Sequence, residues 1–214
     1  AIGIGRFAFT PVLPMMQEDF GLTVADGGWL ASANYAGYLV GALSAISMRI
    51  QSTSAIRAGL LAIGLSTFAM GLEHEFILWV ALRVLAGIAS AWVLVFVSAW
   101  TLERLALPGC SSLSGVVYAG VGTGIAIAGG ACLVVVGLRA RSVEAWLLLG
   151  VISIAVTGAI WPLLKANPSR DPVAVPTTAT AGNTSTEYWR LVLCYGAFGF
   201  GYIIPATFLP VMAK

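Results

Sequence analysis

An all-α membrane protein of several spans is the fold this sequence predicts, and three observations predict it. Charged residues make up 9% of the 214 residues and hydrophobic ones 59%, with a mean hydropathy of +0.93. A soluble domain carries about 25% charge, and a chain this apolar cannot cover its own surface in water. Apolar runs approaching or exceeding the roughly 20 residues a bilayer requires recur along the chain. Arg6 and Arg83 are the charged residues lying well inside those runs. A charge at that depth is costly unless it meets a cavity or a partner, and such residues mark paths for ions or substrates.

The runs fall at 1–16, 27–48, 56–72, 76–102, 113–138 and 145–164, with a seventh from 188 to the end. The first starts inside an apolar segment, with no charged leader before a short apolar core. A signal peptide is therefore not expected there, and the run reads as a helix already under way at Ala1. The second places Asn34, Tyr38 and Gly41 at i, i+4 and i+7 on one face, with Gly37 and Gly41 as a small-residue pair suited to close helix packing. The third and sixth carry only scattered Ser and Thr, which suits helices on the lipid side. The fourth holds Arg83, Gly87 and Ala91 at intervals of four. The fifth is glycine-rich, with Gly120, Gly124, Gly129 and Gly130, and carries Tyr118 and Thr123. Trp29, Trp79, Trp100, Trp146, Trp161 and Trp189 sit near run ends, where tryptophan anchors a helix at the membrane interface.

One connection is long. From Lys165 to Glu187 the composition turns to Pro, Thr, Ala, Ser and Asn, that of a flexible linker. The organisation read from this is a helical bundle over 1–165, a linker over 166–187 and the start of a second bundle over 188–214. Alternate loops differ in charge. One set holds Arg49, Arg57, Arg104, Lys165, Arg170 and Arg190. The other holds Arg139 and Arg141 with Glu18, Asp19, Asp26, Glu73, Glu75 and Glu144. The basic side is expected in the cytoplasm, and the linker with it.

Spans one and seven also align without gaps. Gly3, Gly5, Leu13, Pro14 and Met16 coincide with Gly199, Gly201, Leu209, Pro210 and Met212, while Arg6 faces Tyr202. Parallel repeats of six helices are one way to build a secondary transporter. Six spans, a cytoplasmic linker and a repeated first helix resemble the major facilitator superfamily. The stretch Gly-Ile-Gly-Arg-Phe-Ala-Phe-Thr-Pro-Val-Leu-Pro-Met-Met from Gly3, followed by Ala-Asp-Gly-Gly-Trp-Leu-Ala-Ser-Ala-Asn-Tyr-Ala-Gly-Tyr-Leu-Val-Gly from Ala25, is similar to its YbfB/YjiJ branch. The resemblance implies a twelve-helix transporter of the inner membrane, here its N-terminal bundle truncated within helix 1 and continuing through helix 7. The full-length protein is expected to work as a monomer. Arg83-x-x-x-Gly87 is similar to a pattern the superfamily places in its fourth helix. Gly41 to Arg49 keeps the glycine of the superfamily's motif in the loop after span two but lacks its aspartate. The fifth span lacks the proline and spacing of the antiporter motif, so antiport is not assigned.

Arg6 lies eight residues before Pro14, about 12 Å along a helix, and is expected near mid-membrane. Arginine offers a planar fork of donors matched to carboxylate or phosphate. Arg6 is therefore expected to hold an anionic group of a small-molecule substrate or a carboxylate elsewhere in the protein, or else to pin neighbouring helices. Arg83 reads as a cavity residue or as one that snorkels outward past Trp79. Asn34 and Tyr38 read as substrate contacts or as helix glue, and Tyr118 as a further contact. Phe7, Phe9, Trp92 and Phe96 give an aromatic and apolar face that suits neutral or amphipathic compounds instead. A membrane sensor that transports nothing is the reading from another class.

No Asp, Glu or His lies within a span, so a coupling proton has no titratable carrier in this part of the chain. It would ride on the substrate or on residues elsewhere. Cys110, Cys132 and Cys194 are too scattered for a disulfide framework or a zinc site, and His74 stands in a loop between Glu73 and Glu75. No nucleophile–base pair, phosphate loop, cofactor motif or nucleic-acid motif is present, and the enzyme reading has no support.

Overall fold

Proline interrupts the first span. Pro11 has no N–H for the carbonyl of Phe7, four residues back, and the helix divides there into α1 (Ile2–Phe7) and α2 (Phe9–Phe20), joined at Ala8. Ala8 keeps right-handed helical angles, φ −61° and ψ −27°, so the chain continues in the same general direction. This computed structural model describes residues 1–48, 50–105 and 114–164, with positions 189–190, 193–194, 196–197 and 201. The chain forms two compact units, Ala1–Val175 and Pro176–Lys214. In the second, the described positions are helical; the linker and most of the second copy of the repeat lie outside the described residues.

The first unit is built from helices throughout its described residues. After α2 come α3 (Val24–Ser47), α4 (Ser52–Ala69), α5 (Phe76–Leu105), α6 (Ser114–Gly137) and α7 (Ser142–Ile160), with a 3₁₀ turn over Trp161–Leu163. Among the described residues, three segments are long and apolar enough to cross a membrane on their own account: Phe76–Thr101, Ala119–Gly137 and Ser142–Leu163. The more polar α3 and α4 fall short of that standard because their Gly, Ser, Thr, Asn and Tyr residues meet other helices. In α3 the buried positions include Gly27, Asn34, Gly37 and Gly41; in α4 they include Ser66 and Thr67.

α3 and α5 run parallel at very short range. A Cβ at Gly37 would run into the carbonyl oxygen of Val84, one at Gly41 would lie 2.6 Å from that of Ile88, and one at Gly87 would run into that of Asn34. Small residues are what let helices approach this closely in a bilayer, where no hydrophobic drive separates protein from lipid. α1 meets α6 in the same way, through Gly3 against Val121 and Gly124. Two buried threonine hydroxyls of the α4–α7 region fold back on their own helices: Thr67 donates to Ile63 O at 2.7 Å and Thr157 to Ser153 O at 2.8 Å. That satisfies them without water.

The acidic end of the bundle is tied by side chains. Gly21, at φ 67°, closes α2 in the left-handed conformation that glycine tolerates. Asp19 near the end of α2 accepts from both the N–H and the hydroxyl of Ser142, each at 2.6 Å, placing a carboxylate on the first turn of α7. Trp79 donates to Glu73 O at 2.9 Å and Met70 O at 3.2 Å, and Trp146 donates to Met16 Sδ at 3.3 Å. Both rings are only 2% exposed. The expectation of interfacial anchors is corrected at these two positions, because carbonyl and sulfur partners within the bundle satisfy their N–H groups. Trp29, by contrast, is 69% exposed.

α3 begins with a capping box. The Asp26 N–H donates to Thr23 Oγ1, and Asp26 Oδ2 accepts from the Thr23 hydroxyl and N–H. These bonds, that from the hydroxyl first, hold the Asp26 carboxyl below its usual range. A lowered folded pKa contributes stability above the unfolded value that is lost as pH falls through the folded one. Asp26→Asn therefore lowers the unfolding temperature in detergent at neutral pH, and its gap from wild type closes on acidification through that folded pKa. A gap that stays constant would show that the carboxylate form is not what matters.

The helix contacts give a second expectation. Gly87→Val drives a side chain into backbone that cannot yield and is expected to cost on the order of 3 kcal/mol. Gly137→Ala, where a Cβ meets nothing within 4 Å, leaves the unfolding temperature near that of wild type. Equal unfolding temperatures for the two variants would contradict the close α3–α5 approach.

Candidate functional site

The two arginines expected within the membrane are brought together around the broken first span, and they are used differently. Arg83, on α5, is 3% exposed. Its Nε donates to Leu30 O on α3 at 3.4 Å and one terminal nitrogen donates to Gly5 O on α1 at 3.3 Å. Its guanidinium lies over the Phe9 ring of α2, 4.6 Å from the centroid. Arg83 thus turns inward rather than snorkelling. Two carbonyls and an aromatic face compensate its charge, a combination that the planar fork of arginine can make and the point charge of lysine cannot.

Asn34 stands behind it. This residue is fully buried, and its Nδ2 donates to the carbonyl oxygen of Arg83 at 2.9 Å. Its Oδ1 has no hydrogen-bond partner among the described residues. The i, i+4, i+7 face expected on α3 is therefore divided: Asn34 and Gly41, with Gly37, press on α5, while Tyr38 is partly exposed.

Arg6 is the more open charge. It is partly exposed and stacks on Tyr38, 4.3 Å from the ring centroid, with Phe7 at 5.5 Å and Tyr35 at 5.7 Å. Stacking of this kind contributes roughly 0.5–2 kcal/mol, more as water is excluded. It holds the guanidinium by its face and leaves the in-plane N–H groups for a ligand. Arg6 Nε is shielded from solvent and has no hydrogen-bond partner among the described residues. No carboxylate within the described residues pairs with it. The result is a fixed, positive, under-satisfied group, suited to receive a carboxylate or phosphate oxygen.

The structure thus groups Arg6, Asn34, Tyr38 and Arg83 in two layers, the first and third partly exposed and the other two buried. Tyr118 belongs to α6, but its side chain lies outside the described residues. Tyr35 was missed by the sequence reading. Its place three residues before Tyr38, on the same side of a helix, was the available signal. Gly5, Leu30 and Phe9 were also missed as partners of Arg83. Two of them act through backbone carbonyls, which every residue has. Trp92 donates to Ser44 Oγ at 2.9 Å and so joins α5 to α3. Towards the basic end, an apolar cavity of about 260 Å³ is lined by Ile56, Leu60, Val93, Val97, Trp100 and Ile160 among others. No cluster of His, Cys, Asp or Glu that could hold a metal occurs among the described residues.

Comparison with known proteins agrees with this architecture. The family model described as uncharacterised MFS-type transporter YbfB matches residues 1–214. The chain is similar to the uncharacterized MFS-type transporter YceJ of Bacillus subtilis (strain 168), 33% identical over 94 residues, which are 43% of this chain. The matched stretch spans only 24% of the length of that relative. No solved structure is a significant match. A bundle of apolar helices, matched by this family model from its first residue to its last, is a multi-pass membrane protein, and the chain belongs to the YbfB family of MFS-type transporters.

Proposed function

We propose that this chain forms one wall of an alternating-access pathway for a small organic anion across the inner membrane, in a transporter that works as a monomer. The observation that carries the reading is Arg6: its guanidinium is held by its face on Tyr38 and lacks a partner at Nε among the described residues. An intramembrane charge with unspent donors is retained only where something else completes it, and an anionic substrate group does so. In this reading Arg6 and Tyr38 contact the substrate, Tyr118 adds a contact from α6, and Asn34 and Arg83 support the site from behind. A coupling proton would travel with the substrate or on residues elsewhere in the protein.

The aromatic surroundings of Arg6 and the apolar cavity near the basic end favour a second reading, export of neutral or amphipathic compounds with the arginines structural. Thermal unfolding of the detergent-solubilised full-length protein against anionic, neutral and cationic solutes separates the two. A ligand of the folded state at 100 times its dissociation constant adds about 2.7 kcal/mol. Carboxylates are expected to stabilise the protein, and Arg6→Ala to abolish that stabilisation and uptake of the anion into vesicles. Stabilisation by neutral compounds alone, unchanged in Arg6→Ala, would favour export.

The stacking partner gives a graded test. Tyr38→Phe keeps the ring and is expected to bind the stabilising anion much as wild type does. Tyr38→Leu removes roughly 1 kcal/mol of cation–π attraction and is expected to weaken binding about fivefold. Equal affinities for the Phe and Leu variants would show that the ring does not hold Arg6 for the ligand.

A further inference from the structure

We infer that Arg83 is the positioning residue of the Arg6 site, a clamp across the break in the first span that sets where the Arg6 guanidinium stands. The inference rests on the reading of Arg6 as the anion contact, but its geometry is independent of any ligand. Gly5 is the third residue before Ala8 and lies in α1; Phe9 follows Ala8 and opens α2. Arg83 reaches both, with a terminal nitrogen 3.3 Å from Gly5 O and its guanidinium 4.6 Å from the Phe9 centroid. One side chain of α5 therefore spans the point where Pro11 has removed a rung of the helix ladder.

Arg6 is bonded directly to Gly5, so the hold on the Gly5 carbonyl fixes the backbone from which Arg6 departs. The other side of Gly5 is closed as well. A Cβ there would lie 2.5 Å from Ile63 Cγ2, so α1 is held between Ile63 of α4 and Arg83 of α5. The same guanidinium donates to Leu30 O on α3, the helix that carries Tyr38 two turns further on. Arg83 thus references both partners of the Arg6–Tyr38 stack to one rigid group. Asn34 completes the arrangement by donating to the Arg83 carbonyl oxygen, which fixes the α5 backbone against α3. At 3% exposure Arg83 has no face left for substrate, and its influence passes through Gly5, Phe9 and Leu30.

The test is the reactivity of Arg6 towards phenylglyoxal, an arginine-directed reagent, followed by peptide mass spectrometry on the full-length protein in detergent. Exposed Arg139 serves as the internal reference. Arg83→Met removes the donors while keeping a long apolar side chain, and Arg83→Lys keeps the charge but loses the fork. Both are expected to change the Arg6 rate relative to Arg139 by about tenfold, the response to roughly 1.4 kcal/mol in how firmly the guanidinium is held. Should the Arg83 variants fail to fold, Phe9→Leu, which removes the ring but not the carbonyl bonds, is expected to shift the same ratio in the same direction by less. An unchanged ratio in a folded Arg83 variant, with only the unfolding temperature lowered, overturns the inference and leaves Arg83 as general packing. Benzoate added to the wild type separates the two readings. If it fails to protect Arg6 while the ratio still responds to Arg83, the clamp stands and the anion assignment for benzoate does not.

Discussion

With glycine at 37, 41 and 87, the backbones of α3 and α5 touch, and the remaining contacts of the bundle are arranged around that seam. The separation is short enough for Asn34 of one helix to reach a main-chain carbonyl of the other and for Arg83 to reach back to Leu30. A larger residue at any of the three glycines would part the helices and leave Arg83, already shielded from water and lipid, without one of its acceptors. Removing a partner from a buried charge costs far more than the pair contributes when intact. Packing and electrostatics are therefore one constraint here: the small residues matter because they bring carbonyls within reach of a cation.

The first span is built to a different rule. Its second piece, α2, is joined to α7 by Asp19 and Met16; its first piece, α1, lies on α6 through Gly3 and on α5 through the Arg83 bond. Pro11 weakens the main-chain link between the pieces, so their relation is set by side chains of neighbouring helices. Arg6 sits on the first piece, one residue from its end. A transporter has to change the surroundings of its bound solute without unfolding, and a charge carried on a short, separately supported segment fits that requirement.

Much of this was legible in the residues. Apolar runs located the helical passes, the Gly37/Gly41 pair identified a tight interface, and two arginines out of place in lipid marked the region where the structure gathers its polar contacts. What escaped the reading shares a physical cause. The acceptors of Arg83 are main-chain carbonyls, which leave no trace in residue identity. Trp79 and Trp146 lie near helix ends, where lipid anchoring is the general rule, but carbonyls and a thioether from neighbouring segments claim them. The split at Ala8 was implicit in Pro11, yet apolar periodicity continues through it and gives one run where the structure has two helices. Tyr35 was passed over because Asn34 and Tyr38 already defined a face; the helix turns Asn34 into the seam and leaves the tyrosines to Arg6.

The buried indoles change how the intrinsic light emission of this protein is to be read. With seven tryptophans, the chain invites the use of fluorescence as a gauge of depth in the bilayer, since interfacial indoles respond to headgroup hydration and to quenchers in the lipid. Trp79 and Trp146 are sealed within the acidic end and bonded there, so their emission follows the integrity of that junction instead. A red shift on dilution into harsh detergent would register the parting of α2 from α7 and the loosening of the α4–α5 turn. That gives an optical measure of tertiary packing.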